Sequence, residues 1–266
     1  MKSESVSIFK LFNRGKGGNV EEGFDCGKVG EPDSELCDTA KQKGSVTKVF
    51  CIGNNKTGTT SIESLLRRLG YKMPDQGEQE LKVVEAVQQG DFQPLKELCD
   101  NYQAFQDLPF SQGEVYANVD SLYPGSKFIL TVRDPDAWYD SLVRFHLNTI
   151  LKAVGVSDVA DVVEDTFKDK NLYIRENYLY NVAKRHVAAV SDGEVLYEWS
   201  KLYDKNNRVS EYISRNERII KYFQDRKNQL LVIDLTKEED DSKLLRFLGC
   251  EGEKSSSVPH LNSSKC

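Results

Sequence analysis

Residues Lys48–Leu69 read KVFCIGNNKTGTTSIESLLRRL, and two hydrophobic periods meet inside them. Val49-Phe50-Cys51-Ile52 is a continuous apolar run, the pattern of a buried strand. Gly53, two asparagines and Lys56 interrupt it, followed by Thr57-Gly58-Thr59-Thr60-Ser61. Ile62, Leu65, Leu66 and Leu69 then recur at helical spacing. The stretch predicts a strand, a tight loop and a helix that opens with hydroxyl residues. A helix start carries backbone N–H groups without intrahelical partners and a partial positive charge. With Lys56 and the hydroxyls beside them, those groups make a socket for a phosphate-like anion.

The loop differs from the nucleotide-triphosphate signature, which ends Gly-Lys-Ser/Thr with its last hydroxyl on magnesium. Here the lysine precedes the glycine, as Lys56-Thr57-Gly58-Thr59-Thr60-Ser61. Working outward, Lys127–Val132 (KFILTV) and Leu230–Leu235 (LLVIDL) repeat the buried-strand pattern. The first runs into Arg133-Asp134-Pro135, where Asp134 suits an N-cap with Pro135 at the first helical position. The helix that follows carries Trp138, Ser141, Leu142 and Phe145. Residues Glu78–Gln88 and Phe92–Asp100 are expected to be helical, with Leu81, Val84 and Val87 on one face. Residues 102–110, YQAFQDLPF, form a short aromatic segment with a single carboxylate, Asp107, ahead of a proline. From Thr149 to about Phe223 the pattern is mainly helical, Glu238–Asp241 is an acidic run suited to a solvated turn, and Lys243–Leu248 is a short helix closed by Gly249. Strands alternating with helices predict an α/β fold, a parallel sheet with helices on both faces. Ligands of such sheets lie at the carboxyl ends of the strands, which is where the Lys56 and Arg133 segments fall.

The chain has 266 residues, a net charge of −6 and six cysteines. Residues 1–45 are rich in Gly, Ser and charged residues and are expected to be a flexible leader with one short helix near Ile8–Phe12; residues 46–266 are expected to form the domain. An acidic chain is a poor nucleic-acid binder, which needs a basic face. No run of about 18 apolar residues predicts a membrane span, and no secretory signal is visible, so a cytoplasmic protein is expected. None of the cysteines forms a CxxC pair, which argues against zinc. Reduced thiols are the simplest reading, with Cys51 a small buried hydrophobe and Cys26 and Cys37 able to pair in an oxidising setting.

Three segments together resemble the sulfotransferases that use 3′-phosphoadenosine 5′-phosphosulfate (PAPS), in particular their P-loop-type branch. Gly53–Ser61 is similar to the family's 5′-phosphosulfate loop. Tyr123-Pro124 through Ser141 is similar to its 3′-phosphate site, with Arg133 and Ser141 eight residues apart. The tail, from LLVIDL through Leu245–Gly249 to Pro259-His260-Leu261-Asn262, completes the likeness. The resemblance implies PAPS as donor, no metal, and transfer of a sulfuryl group to a hydroxyl or amine. It implies that Lys56 meets the charge growing on the leaving phosphate oxygen. Thr57, Gly58, Thr59, Thr60 and Ser61 would hold the 5′-phosphate, and Arg133 and Ser141 the 3′-phosphate. A general base is also required. Asp107, whose apolar neighbours raise its pKa by desolvation, is the candidate, with His260 the alternative. The acceptor, whether small molecule, glycan or lipid, is not legible, and a homodimer stays open. Two other readings remain: a P-loop kinase or nucleotide hydrolase, and a module that binds PAPS or its spent form without chemistry.

Overall fold

The computed structural model describes residues 47–257. The expected leader, the Pro259-His260-Leu261-Asn262 segment and hence His260 lie outside the described residues, as do Cys26, Cys37 and Cys266. Within them the chain divides into two compact units, one made of Tyr139–Glu211 and the other of residues 47–138 and 212–257.

The second of these contains the sheet. Its strands are β1 (Val49–Cys51), β2 (Ala104–Phe105), β3 (Lys127–Thr131) and β4 (Leu230–Ile233), ordered β2-β1-β3-β4 with every neighbouring pair parallel. Cys51 stands opposite Ile129, and Thr131 opposite Ile233. Alternate residues of a strand face opposite sides, and this sheet buries both. Val49, Cys51, Ile129 and Ile233 pack with Ile62, Leu65 and Leu66 of α1 (Thr59–Arg68) on one side. Phe50, Ile52, Phe128 and Leu130 pack on the other, against α2 (Gln76–Gln88), α3 (Gln93–Asn101) and α4 (Val115–Leu122). The rings of Phe50 and Phe105 stack at 5.0 Å across β1 and β2. Both faces covered by helices is what an all-parallel sheet requires, since neither side can face water.

The helix signals were accurate at the two ends that flank the sheet. Helix α5 (Pro135–Asn148) begins where Asp134 accepts from the backbone N–H of Ala137 at 2.9 Å. The C-terminal helix of the described residues, Ser242–Leu248, ends on Gly249 at φ 74°, a left-handed cap that glycine adopts without a Cβ penalty.

Four expectations need correction. Leu81 is half exposed, and the inner face of α2 is instead Gln79, Glu80, Val83 and Val84. Gln79 donates from Nε2 to the carbonyls of Gln106 (2.8 Å) and Leu108 (2.6 Å), so polar anchors rather than apolar period set that helix's rotation. The aromatic segment supplies β2, too short to show alternation. In the other unit the stretch expected to be mainly helical holds two antiparallel hairpins besides the helix Tyr178–Val187. One hairpin pairs Ala188–Ser191 with Glu194–Tyr197 around Asp192-Gly193, at φ 52° and 83°, the Asp-Gly pair that a two-residue hairpin turn favours. Finally, Asp241 is buried rather than solvated: Arg68 pairs with it, and Ser255 Oγ, Ser256 N and Ser256 Oγ all donate to it.

Among the cysteines, Cys51 and Cys99 are free and buried, and burial pushes both thiols up to about 12. No helix among the described residues is long and apolar enough to cross a membrane.

Candidate active site

The strand order reverses at β1. The chain leaves β1 for β2 on one side and then returns to β3 on the other. Such a reversal opens a crevice beyond the carboxyl ends of the strands, and three segments run into it: 53–58 after β1, 106–111 after β2 and 132–134 after β3.

The loop after β1 is held tightly to β3. A Cβ at Gly53 would stand 1.9 Å from Thr131 Oγ1 and 2.5 Å from the Thr131 carbonyl oxygen, so only glycine fits there. Thr57 turns inward: its hydroxyl donates to the Asn54 carbonyl oxygen and lies 2.6 Å from Thr131 Oγ1. Lys56 takes the left-handed region at φ 71°, and Gly58 follows at φ 101° as the N-cap of α1. Leu235 fills the space behind Gly58, its Cδ1 2.7 Å from where a Cβ would be. The first turn of α1 contains no acidic residue, so nothing within that turn opposes an approaching anion. Thr59 and Ser61 are buried in that turn and Thr60 is exposed. Ser61 also lines a cavity of about 220 Å³ bordered by Ser64, Arg68, Leu235, Asp241 and Ser256.

Arg215, on α6 (Lys205–Tyr222), is buried beneath this loop. Its Nη1 donates to the Ile52 carbonyl and to Asn54 Oδ1, both at 2.9 Å, while Nη2 and Nε reach the carbonyls of Phe110 and Gly113 at 3.3 Å. One guanidinium thus ties the segment after β1 to the segment after β2. Sequence reasoning missed it. The available signal was its place on the buried stripe of α6, where Tyr212, Arg215, Asn216 and Ile219 recur at helical spacing.

Asp107 lies in the segment after β2, buried and at φ 61°. Its Oδ1 accepts from the Leu108 N–H (2.9 Å) and its Oδ2 from Gln76 Nε2 (3.1 Å). Burial pushes its pKa up to about 6, and the nearby Glu63 carboxylate adds to the rise; the hydrogen bonds from Leu108 and Gln76 work the other way. On the loop after β1, Ser111 Oγ donates to Asn55 Oδ1 (3.2 Å) and Trp138 Nε1 to the Asn55 carbonyl oxygen (2.9 Å).

At the tip of β3, the Arg133 backbone N–H donates to the Tyr212 hydroxyl (2.9 Å), which itself donates to the Arg133 carbonyl (3.1 Å). The Tyr212 ring stacks on Trp138 at 4.3 Å. The backbone at Arg133 and the loop at Asn55 are therefore joined through Tyr212 and the buried Trp138. Ser141 is half-buried on α5 and belongs to the other unit. There His146 Nδ1 meets the Tyr203 hydroxyl (2.8 Å) and His186 Nδ1 meets Glu211 (3.0 Å). Among the described residues, no three His, Cys, Asp or Glu side chains are grouped to hold a metal ion.

The family model described as a sulfotransferase domain matches residues 48–266. No curated protein matches the chain. The matched span takes in both strand tips and all of the segments that converge on the crevice, and the parallel sheet with its covering helices is the fold such a domain requires. On that match the chain belongs to the sulfotransferase domain family.

Proposed function

We propose that the protein moves a sulfuryl group from PAPS to a hydroxyl or amine acceptor. The observation that carries this reading is the joining of the two strand tips at the reversal point of the sheet, with a buried carboxylate, Asp107, on the segment after β2. The 5′-phosphate would sit on the backbone N–H groups and hydroxyls opening α1, at Gly58, Thr59, Thr60 and Ser61. Thr57 would contribute by holding the loop's shape, its hydroxyl being committed to Asn54 and Thr131. Arg133 offers the planar fork suited to the 3′-phosphate, and Ser141 is assigned to the same phosphate from its spacing alone.

In the chemical step Asp107 takes the acceptor proton as the acceptor oxygen or nitrogen attacks sulfur. The bond between sulfur and the bridging phosphate oxygen breaks, and the Lys56 ammonium meets the charge that this oxygen acquires. Because the base must be ionised, the rate is expected to rise with pH through the Asp107 pKa of about 6.

The test is calorimetric titration with 3′-phosphoadenosine 5′-phosphate and, separately, with ATP. Tighter binding of the bisphosphate is expected, with that preference lost in Arg133→Ala. Equal affinity for the two ligands removes the donor assignment.

A further inference from the structure

We propose that Arg215 is a positioning residue for the transfer step, clamping the two turns that carry Lys56 and Asp107 so that lysine and base keep one relative placement. The inference rests on the roles given to those two residues above. Both stand in left-handed backbone, Lys56 at φ 71° and Asp107 at φ 61°. Each belongs to a closed turn. The Thr57 N–H donates to the Asn54 carbonyl (3.3 Å), and the Ser111 N–H donates to the Asp107 carbonyl (2.9 Å). Left-handed backbone is costly for a residue with a side chain and persists where surrounding contacts hold it. Aspartate tolerates it better than lysine does, so the turn around Lys56 depends more on outside support.

One guanidinium gives that support to both turns. Arg215 Nη1 donates to Asn54 Oδ1, on the residue whose carbonyl closes the first turn, and to the Ile52 carbonyl just ahead of it. Arg215 Nη2 donates to the Phe110 carbonyl, inside the second turn, and Nε to the Gly113 carbonyl just beyond it. The turns also meet directly, since Ser111 Oγ donates to Asn55 Oδ1. A planar fork with donors on three nitrogens reaches four acceptors on two segments; an ammonium, with its donors on one atom, cannot span them. Arg215 is only 5 % exposed, so water does not take over these bonds if they are lost. Productive transfer needs the acceptor proton, the attacked sulfur and the leaving oxygen aligned together, and small misplacements are costly. A clamp shared by the lysine's turn and the base's turn meets that need.

The experiment compares full-chain wild type with Arg215→Lys and Asn54→Ala, by amide hydrogen exchange and by calorimetric titration with 3′-phosphoadenosine 5′-phosphate. Arg215→Lys keeps the charge and loses the fork. Its Thr57 and Ser111 amides are expected to exchange faster relative to those of Phe128 and Val132, which bond to Gln229 and Ile233 across the sheet. The relative gain is expected to be about tenfold, and the ligand to bind about tenfold more weakly, the size of one lost hydrogen bond to a charged group. Asn54→Ala removes one acceptor from the first turn alone, so Thr57 is expected to speed up, Ser111 to stay as in wild type, and the ligand to bind more weakly. In Arg215→Lys, an equal rise at all four amides, or an unchanged ligand affinity, makes Arg215 a packing residue and overturns the inference. If Arg215→Lys does not fold, Asn54→Ala decides, and an unchanged Thr57 rate or an unchanged affinity overturns it. Equal wild-type affinity for the bisphosphate and ATP removes the donor assignment alone, and the Arg215→Lys effect is then read on ATP. Binding of neither ligand by wild type overturns both.

Discussion

Asp107 pits burial against hydrogen bonding, and burial wins. Its folded pKa of about 6 lies above the ordinary 3.8, so the folded protein holds this proton more tightly than the unfolded chain does. The sign follows: the group favours folding below the unfolded pKa and that contribution is lost as pH rises through the folded pKa. A difference of about two units corresponds to roughly 3 kcal/mol. Asp107→Asn cannot ionise, so its stability relative to wild type is expected to improve between pH 4 and pH 7 by up to about 3 kcal/mol. Parallel urea denaturation of the two proteins across that range measures it, and a constant difference refutes it. At this scale the sequence was partly legible. Asp107 stood out because its neighbours are apolar. Gln76 and Arg215 did not, because an amide and an arginine on helices carry no chemistry until the fold brings one to Asp107 and the other beneath the loop after β1.

Among the elements, the close approach of the β1 loop to β3 is the most constrained. Gly53→Ala would place a methyl against Thr131, and two of the three nearest atoms there are backbone. A flexible side chain can rotate away, but a strand backbone cannot. The expected loss is about 3 kcal/mol, at the upper end for overpacking, read as a lowered urea midpoint with an unchanged slope. The strands, α1 and the cap at Asp134 were readable because continuous apolar runs and capping residues are local signals. The two-residue β2 and the rotation of α2 were not, because each is decided by partners distant in the chain: Val49 for the strand, Gln106 and Leu108 for the helix. The Asp192-Gly193 hairpin did carry its signal, hidden by the helical period on either side.

For the whole molecule, the strand order decides where a ligand goes. Only the carboxyl ends of β1, β2 and β3 combine the reversal point with Lys56, Asp107 and Arg133. Hydrogen exchange with 3′-phosphoadenosine 5′-phosphate present is expected to slow in residues 53–61 and 132–134. The opposite edge of the same sheet, around residues 123–127 and 226–230, is expected to keep its rate. Protection at the opposite edge instead would move the site. The resemblance read from three short segments and the family match covering residues 48–266 agree on the fold, since both depend on the strand-loop-helix unit and its neighbour.

The Gly53–Thr131 approach has a bearing on any attempt to re-engineer this protein. Because main-chain atoms of one strand occupy the space a side chain on the other would need, no replacement at position 131 makes room at position 53. A library that randomises the loop after β1 must leave that glycine untouched, and a graft of the loop onto a foreign scaffold must bring the adjoining strand with it.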